Sequence, residues 1–286
     1  MSAPQKILVY VSTAAITAVL AFPLFMMLSV SLQTEAEIYS PAFVLFPKTP
    51  QFINYIHALN AGNWLRYFLN SAAVTLSAVV ISLCINSMAG YVFARIVFKY
   101  SGALFMLILV GLMIPAQITV IPVFTMLRRI PLAGGNNILG QGGKGLYDTL
   151  SGLALPYIAG SFGVFLCRQY YLTIPREIDD AAIIDGCGRF GVFRRVYIPL
   201  SGPLFASLGV IKFAGTWNEY TWPLIMTRSD KTRTVQLALS AFKNEDGTSW
   251  NMLMAAAFIA GLPIYVIFFI AQKQFVAGLT AGSVKG

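Results

Sequence analysis

Apolar positions in this chain run in long blocks instead of alternating or recurring every third or fourth residue. Six blocks stand out, over residues 7–32, 70–94, 103–127, 150–171, 201–224 and 251–271. Each exceeds about 18 residues, the length at which an apolar run reads as a membrane-crossing helix. Lipid offers no partner to an open backbone group, so spans of this kind are helical. The pattern predicts an all-α membrane protein of six transmembrane helices. The first block is too long for a signal-peptide core and no small-x-small cleavage site follows it, so it is kept as a span. Pro115 and Pro122 are expected to bend the third span without ending it.

Between the blocks lie polar segments of unequal character. Residues 33–69 carry Pro41, Pro47 and Pro50 among Tyr, Phe and Trp, an interfacial composition. Residues 134–145, GGNNILGQGGKG, read as a flexible or partner-touching loop. Lys144 follows two glycines there, but Gly145 stands where a phosphate loop needs Ser or Thr and Ile138 where it needs its first Gly. The longest charged interruption is residues 173–199, TIPREIDDAAIIDGCGRFGVFRRVYIP, with four acids and four arginines. It reads as two short helices hinged at Gly186. Thr173 is the expected N-cap of the first, and Glu177, Asp179 and Asp180 complement its dipole. Gly186 supplies a left-handed exit. Phe190, Phe193 and Val196 make an apolar stripe on the second helix. Such an amphipathic pair either docks a partner or lies on lipid.

Composition supports the membrane assignment: 57% of residues are hydrophobic and 11% charged, against roughly 25% charged in ordinary globular chains. The net charge of +9 is scattered over loops with no basic stripe, which excludes a nucleic-acid face and leaves lipid headgroups and topology as its use. Lys6, Arg95 and Lys99 flank the first short connections and place both termini, and residues 173–199, on the cytoplasmic side. His57 is the only histidine, and Cys84, Cys167 and Cys187 have no metal or redox spacing. The paired acids Asp179/Asp180 and Glu245/Asp246 point apart, and no hydrolase or metalloprotease motif occurs, so no catalytic residue is assigned. Within the spans, Gln117 lies in the third and Trp217, Asn218 and Glu219 in the fifth. They either line a polar, aromatic-walled path suited to a sugar or, for Glu219, sit at the outer interface where charge is cheap.

Asp180-Ala181-Ala182, then Gly186, Val196 and Pro199, resemble the EAA loop of binding-protein-dependent ABC importer permeases. Its common form is E-A-A-x-x-x-G-x(9)-I-x-x-P. The departures are Asp180 for Glu, Val196 for Ile, and Gly188 where Ser or Thr often caps the second helix. FLCRQYYLTIPREI, NSMAGYVFAR, MIPAQITVIP, WNEYTWPL and the terminal GLTAGSVKG resemble the second permease of carbohydrate importers of the maltose and glycerol-phosphate type. The resemblance implies a type I ABC importer transmembrane domain in a bacterial inner membrane. Residues 1–69 would hold the first helix and an external loop, 70–272 the core with the coupling loop, and 273–286 a cytoplasmic tail. It implies pairing with a similar, non-identical permease, two cytoplasmic ATPase subunits that carry ATP and Mg, and an external solute-binding protein. No cofactor is implied for this chain. Asp180, Ala181, Ala182, Gly186, Phe190 and Phe193 would form the joint with an ATPase. A secondary transporter is the competing reading, disfavoured because it has no use for the helix pair and no inverted repeat is visible.

Overall fold

The computed structural model describes residues 2–244 and 247–280. The acids Glu245 and Asp246 and the end of the tail, 281–286, lie outside the described residues. The described residues form fifteen α-helices, joined by short 3-10 and π turns, and one very short hairpin. In order, these are α1 (Ala3–Ser31), α2 (Glu35–Ile38), α3 (Ile53–Asn60), α4 (Trp64–Arg95), α5 (Ser101–Val110), α6 (Ala116–Arg128), α7 (Leu150–Ala154) and α8 (Ser161–Leu172). There follow α9 (Arg176–Ile184), α10 (Arg189–Val192), a π turn (Phe193–Tyr197), α11 (Ile198–Leu200), α12 (Gly202–Trp217), α13 (Thr221–Met226) and α14 (Val235–Leu239). The strands Lys243–Asn244 and Gly247–Thr248 pair antiparallel before α15 (Trp250–Thr280).

Among the described residues, three stretches are long and apolar enough to cross a membrane unbroken: Pro4–Ser31, Trp64–Arg95 and Trp250–Lys273. Two more spans are bent pairs, Leu150–Tyr157 with Ser161–Leu172 at 44°, and Arg189–Leu200 with Gly202–Trp217 at 76°. The expected third span is not one bent helix. α5 and α6 are separate, because Pro115 disfavours helical backbone in the residue before it and restarts the chain as the N-cap of α6. The fifth is also cut, at Asn218–Tyr220, where Asn218 closes α12 and the Glu219 carboxylate takes the Trp222 N–H of α13 at 3.0 Å. The polar residues that marked this span as unusual are the ones that interrupt it.

Two compact units result, one of residues 1–65 with 237–262 and one of residues 66–236 with 263–286. In the first, α1 exposes apolar side chains all round through its first six turns, Tyr10 and Val19 each at 72%. A helix of that kind is at home in lipid, not water. The polar segment after it is anchored by side-chain amides. Gln33 donates to the Val44 carbonyl at 2.8 Å, and Asn54 donates to the Ser31 and Gln33 carbonyls at 2.9 and 3.0 Å.

In the second unit, the glycine-rich loop departs from its expected flexibility. Asn136 is buried, donates to the Arg128 and Ile130 carbonyls, and accepts from the Gly143 N–H, all at 2.9 Å. The glycines serve its turns: Gly134, Gly140 and Gly145 have positive φ, and a Cβ at any of them would collide with backbone. Asp148 then ties this loop to the next, accepting from the Arg228 and Ser229 N–H groups at 3.1 Å, the Ser229 hydroxyl at 3.0 Å and the Thr232 hydroxyl. Burial alone would raise its carboxyl; those hydrogen bonds outweigh burial and hold it well below the ordinary 3.8.

Candidate functional site

The charged interruption folds as the hinged pair its sequence suggests, with its first cap displaced. Thr173 closes α8 instead of opening α9, its hydroxyl donating to the Tyr170 carbonyl at 2.7 Å. Ile174, at a bend ahead of proline, separates the helices, and Pro175 takes the N-cap position without any side-chain cap. Gly186 sits at φ 83°. The Cys187 N–H reaches back to the Ala182 carbonyl at 3.0 Å and the Gly186 N–H to Ile183 at 2.9 Å. That bond pair is the glycine-dependent helix stop known as the Schellman motif. Gly188 caps α10 through backbone alone, with the Val192 N–H on its carbonyl at 3.0 Å.

What sets the pair in place is a cluster the sequence did not announce. Arg95, at the end of α4, has a side chain only 5% exposed. One of its guanidinium nitrogens donates to the Tyr171 carbonyl at 2.7 Å and to the Ile174 carbonyl. Its Nε lies 3.4 Å from the Asp179 carboxylate, a contact of charges and not an aligned hydrogen bond. The group also sits 5.4 Å from the Tyr197 ring centre. Tyr197 in turn donates its hydroxyl to Asp179 at 2.6 Å. Tyr91 of α4 donates to the Arg189 carbonyl at 3.0 Å and packs on both Phe193 and Tyr197, at 5.2 and 4.9 Å between ring centres. The entry and both helices of the segment are therefore tied to α4: the entry by two carbonyls, α9 by Asp179, and the second helix by Arg189, Phe193 and Tyr197, while the Gly186 hinge stays exposed. The π turn over Phe193–Tyr197 puts both aromatic rings on the inner side. Beyond it, buried Ser201 marks the 76° corner into α12, its hydroxyl on the Tyr197 carbonyl at 2.5 Å.

The expected exposed stripe on the second helix is half correct. Phe190 is 65% exposed, but Phe193 is 5% exposed and belongs to the core with Tyr91, Tyr171 and Leu208. The two rings stay in contact at 6.2 Å between centres, but the stripe straddles the rim: Phe193 packs inward on Tyr91 while Phe190, one turn earlier, faces out. Asp180, Ala181 and Gly186 are exposed, whereas Ala182 is half-buried against the core. The apolar edge is completed by residues not singled out from sequence, Ile183 at 56% and Ile184 at 85% exposed. Adjacent aliphatic residues in a nine-residue helix carry no periodic signal, so they were invisible until the helix had a position.

A second site lies where the helices break. A cavity of about 360 Å³ is lined by Gln117, Thr119, Pro156, Tyr157, Glu219 and Trp222 among others. Two of the four path residues expected from sequence, Gln117 and Glu219, meet there. Trp217 does not: it is buried, stacked on Phe213 at 5.5 Å and against Phe68 at 6.0 Å. Asn218 is exposed and accepts from Gln236 at 3.0 Å, outside the lining. Tyr157, beside Glu219 in the lining, and Trp222 supply the aromatic walls instead. Amide, hydroxyl and carboxylate oxygens set between aromatic faces form a surface that can accept hydroxyls and stack on the apolar face of a ring.

Broken apolar helices around a polar cavity, with a charged helix pair clamped to their ends, define a membrane-embedded transport subunit. Residues 86–280 match the family described as binding-protein-dependent transport system inner membrane component, and the chain belongs to that family. It is 34% identical over 268 residues, 93% of this chain and 90% of the relative, to the arabinooligosaccharides transport system permease protein AraQ of Bacillus subtilis (strain 168). It is 30% identical over 270 residues, 91% of each chain, to the sn-glycerol-3-phosphate transport system permease protein UgpE of Agrobacterium fabrum (strain C58 / ATCC 33970). The fold is shared with a chain of a bacterial ABC transporter involved in the import of the acidic polysaccharide alginate, with a TM-score of 0.78, 20% identity and coverage of 96% of this chain and 99% of that one. These relatives are permease components, which carry out transport and are not enzymes.

Proposed function

We propose that this chain is the permease subunit of an ATP-driven importer for a sugar or related polyhydroxylated solute. It forms the pathway with a second, homologous permease, and two cytoplasmic ATPase subunits bind ATP and Mg. An external solute-binding protein delivers the load, a partner suggested by the solved alginate importer in complex with its periplasmic protein. With α5 and α6 taken together as one span and each bent pair as another, six spans cross a bacterial inner membrane and both termini face the cytoplasm. The helix pair α9–α10 seats in the ATPase through Asp180, Ala181, Gly186, Ile183, Ile184 and Phe190. The cavity at Gln117 and Glu219 lines the solute path.

The observation that carries this reading is the clamp. A helix pair with an exposed apolar edge is fastened to α4 at its entry and through both helices and continues through Ser201 into α12, so force applied to its outer edge reaches the pathway helices. The relatives named for arabinooligosaccharides and glycerol phosphate support polyhydroxylated solutes as the cargo class. The test uses the whole complex reconstituted with its binding protein. Gly186→Asp and Asp180→Lys should leave insertion and assembly intact and abolish ATP hydrolysis stimulated by the loaded binding protein. Normal uptake by both variants in an assembled complex would overturn the coupling role.

A further inference from the structure

Lys212 was not singled out from the sequence and has no part in the clamp. It lies in the second half of α12, half-buried among apolar residues. A lysine at membrane depth is costly and normally has a compensating partner. Among the described residues no carboxylate lies within ion-pair distance of it. Its ammonium instead lies 3.4 Å from the Tyr157 carbonyl.

That carbonyl is the end of a helix. The limb Leu150–Tyr157 stops at the 44° break, so the Tyr157 carbonyl has no further helical donor and carries the negative end of the dipole. An ammonium is the group of correct sign to sit there. The opposite limb, α8, is served in the complementary way. The Gly160 N–H donates to the Asn86 side-chain oxygen at 3.3 Å, and Asn86 is fully buried in α4. Gly163 lies so close that a Cβ there would meet the Asn86 amide nitrogen at 2.2 Å. Both orphaned ends of the broken helix are thus capped by side chains from other helices, a cation on the carbonyl end and an oxygen on the amide end.

We infer that Lys212 is a positioning residue of the solute path, capping the broken helix so that the Tyr157 wall of the cavity moves with α12. This rests on the pathway reading given above. Tyr157 meets the same stretch of chain twice: its carbonyl is held by Lys212, and it shares the cavity wall with Glu219, seven residues further on. Since α12 continues from the clamped helix pair through Ser201, a rotation at the corner carries Lys212, Glu219 and Tyr157 together. Without the ammonium, the limb ending at Tyr157 keeps its ties to α13, where the Trp222 indole donates to the Gly152 carbonyl at 3.2 Å and Leu153 packs with Trp222 and Met226, but loses its polar tie to α12.

The experiment places one cysteine, Thr119→Cys, in the cavity lining of the full complex with Cys84, Cys167 and Cys187 replaced by serine or alanine. Its rate of labelling by a membrane-impermeant maleimide is compared between nucleotide-free and ATP–vanadate-trapped complexes. With Lys212 in place the two rates should differ at least about fivefold. Lys212→Met should reduce the difference below about twofold while basal ATP hydrolysis and complex yield stay within about twofold, and Lys212→Arg should restore it. A lysine that merely stabilised the fold would lower yield and thermal midpoint and leave the state dependence intact, so an undiminished difference in Lys212→Met overturns the inference. Should Lys212→Met fail to assemble, Lys212→Gln carries the test as an uncharged, shorter donor: a difference at least halved supports the positioning role, and an unchanged one overturns it. A flat labelling rate with the native lysine refutes the pathway reading itself, and this inference with it.

Discussion

Separating the two halves of the Arg95–Asp179 contact tests the clamp most directly. Arg95→Leu strands the Asp179 carboxylate, which is 16% exposed, and two backbone carbonyls that lose their donor. Removing one partner of a buried charge pair costs about 3–5 kcal/mol. Asp179→Ala is milder, because Arg95 keeps both carbonyls, while the Tyr197 hydroxyl loses a charged acceptor at 2.6 Å. A hydrogen bond to a charged group contributes about 1.5–3 kcal/mol. The double variant should be less harmful than the sum of the singles, since neither leaves the other unpaired. The expected coupling energy is about 1–3 kcal/mol, within the range found for contacting residues. At roughly 1.4 kcal/mol per factor of ten, this is about 5- to 150-fold in the local opening equilibrium. Amide hydrogen exchange of peptides covering residues 176–200, measured on the four proteins in lipid nanodiscs, reads that equilibrium. Strict additivity, with a coupling energy below about 0.5 kcal/mol, would mean that Arg95 and Asp179 do not act as one unit, and the clamp would be refuted.

Three further outcomes follow from the same geometry. Phe193→Ala should destabilise the segment by about 3–5 kcal/mol as a core truncation, while Phe190→Ala should change stability by less than about 0.5 kcal/mol and still lower stimulated ATP hydrolysis; thermal unfolding and ATPase assays on one pair of variants separate the two. Gly188→Ser adds a capping hydroxyl at φ −70°, ψ 167°, where a Cβ meets nothing within 4 Å, and should stabilise α10 by a few tenths of a kcal/mol, read as slower exchange of its first amides. The folded pKa of Asp148 is depressed, so its contribution is fully present above its ordinary 3.8 and lost only as pH falls through the lower folded value. Protection of residues 227–234 should therefore be constant from about pH 5 to pH 8, whereas Asp148→Asn should lose protection throughout that range; protection in the native protein that titrates near neutrality would contradict this.

The contrast between Phe190 and Phe193 shows where sequence reading stops. Spacing placed both on one stripe, and regular helical geometry would have exposed both. Packing separated them: Phe193 is drawn inward by Tyr91 of α4, far earlier in the chain, and the neighbouring Tyr197 by Tyr171 of α8. Thr173 failed as a cap for a local reason, proline two positions on, which was available in the sequence and outweighed by the generic preference for threonine at helix starts. Gln117 and Glu219 were found because polar residues in apolar runs are rare. Tyr157 and Trp222 were missed because aromatics in such runs are ordinary. Lys212, the most conspicuous polar residue of α12, was passed over beside the denser Trp217–Tyr220 cluster.

By itself the sequence determined the helical membrane character, the location of the hinged polar pair and the glycine that hinges it. Each follows from a local property: the hydrophobic length needed to cross lipid, the charge density that a lipid-embedded span cannot carry, and the left-handed backbone that glycine adopts without strain. Only the tertiary structure decided where apolar runs break, which aromatic faces outward, and which side chains cap the broken ends. Those outcomes depend on Arg95, Asn86 and Lys212 reaching backbone groups on helices far away in sequence. A buried carbonyl or amide must find a partner, and only the packed fold specifies which one is near.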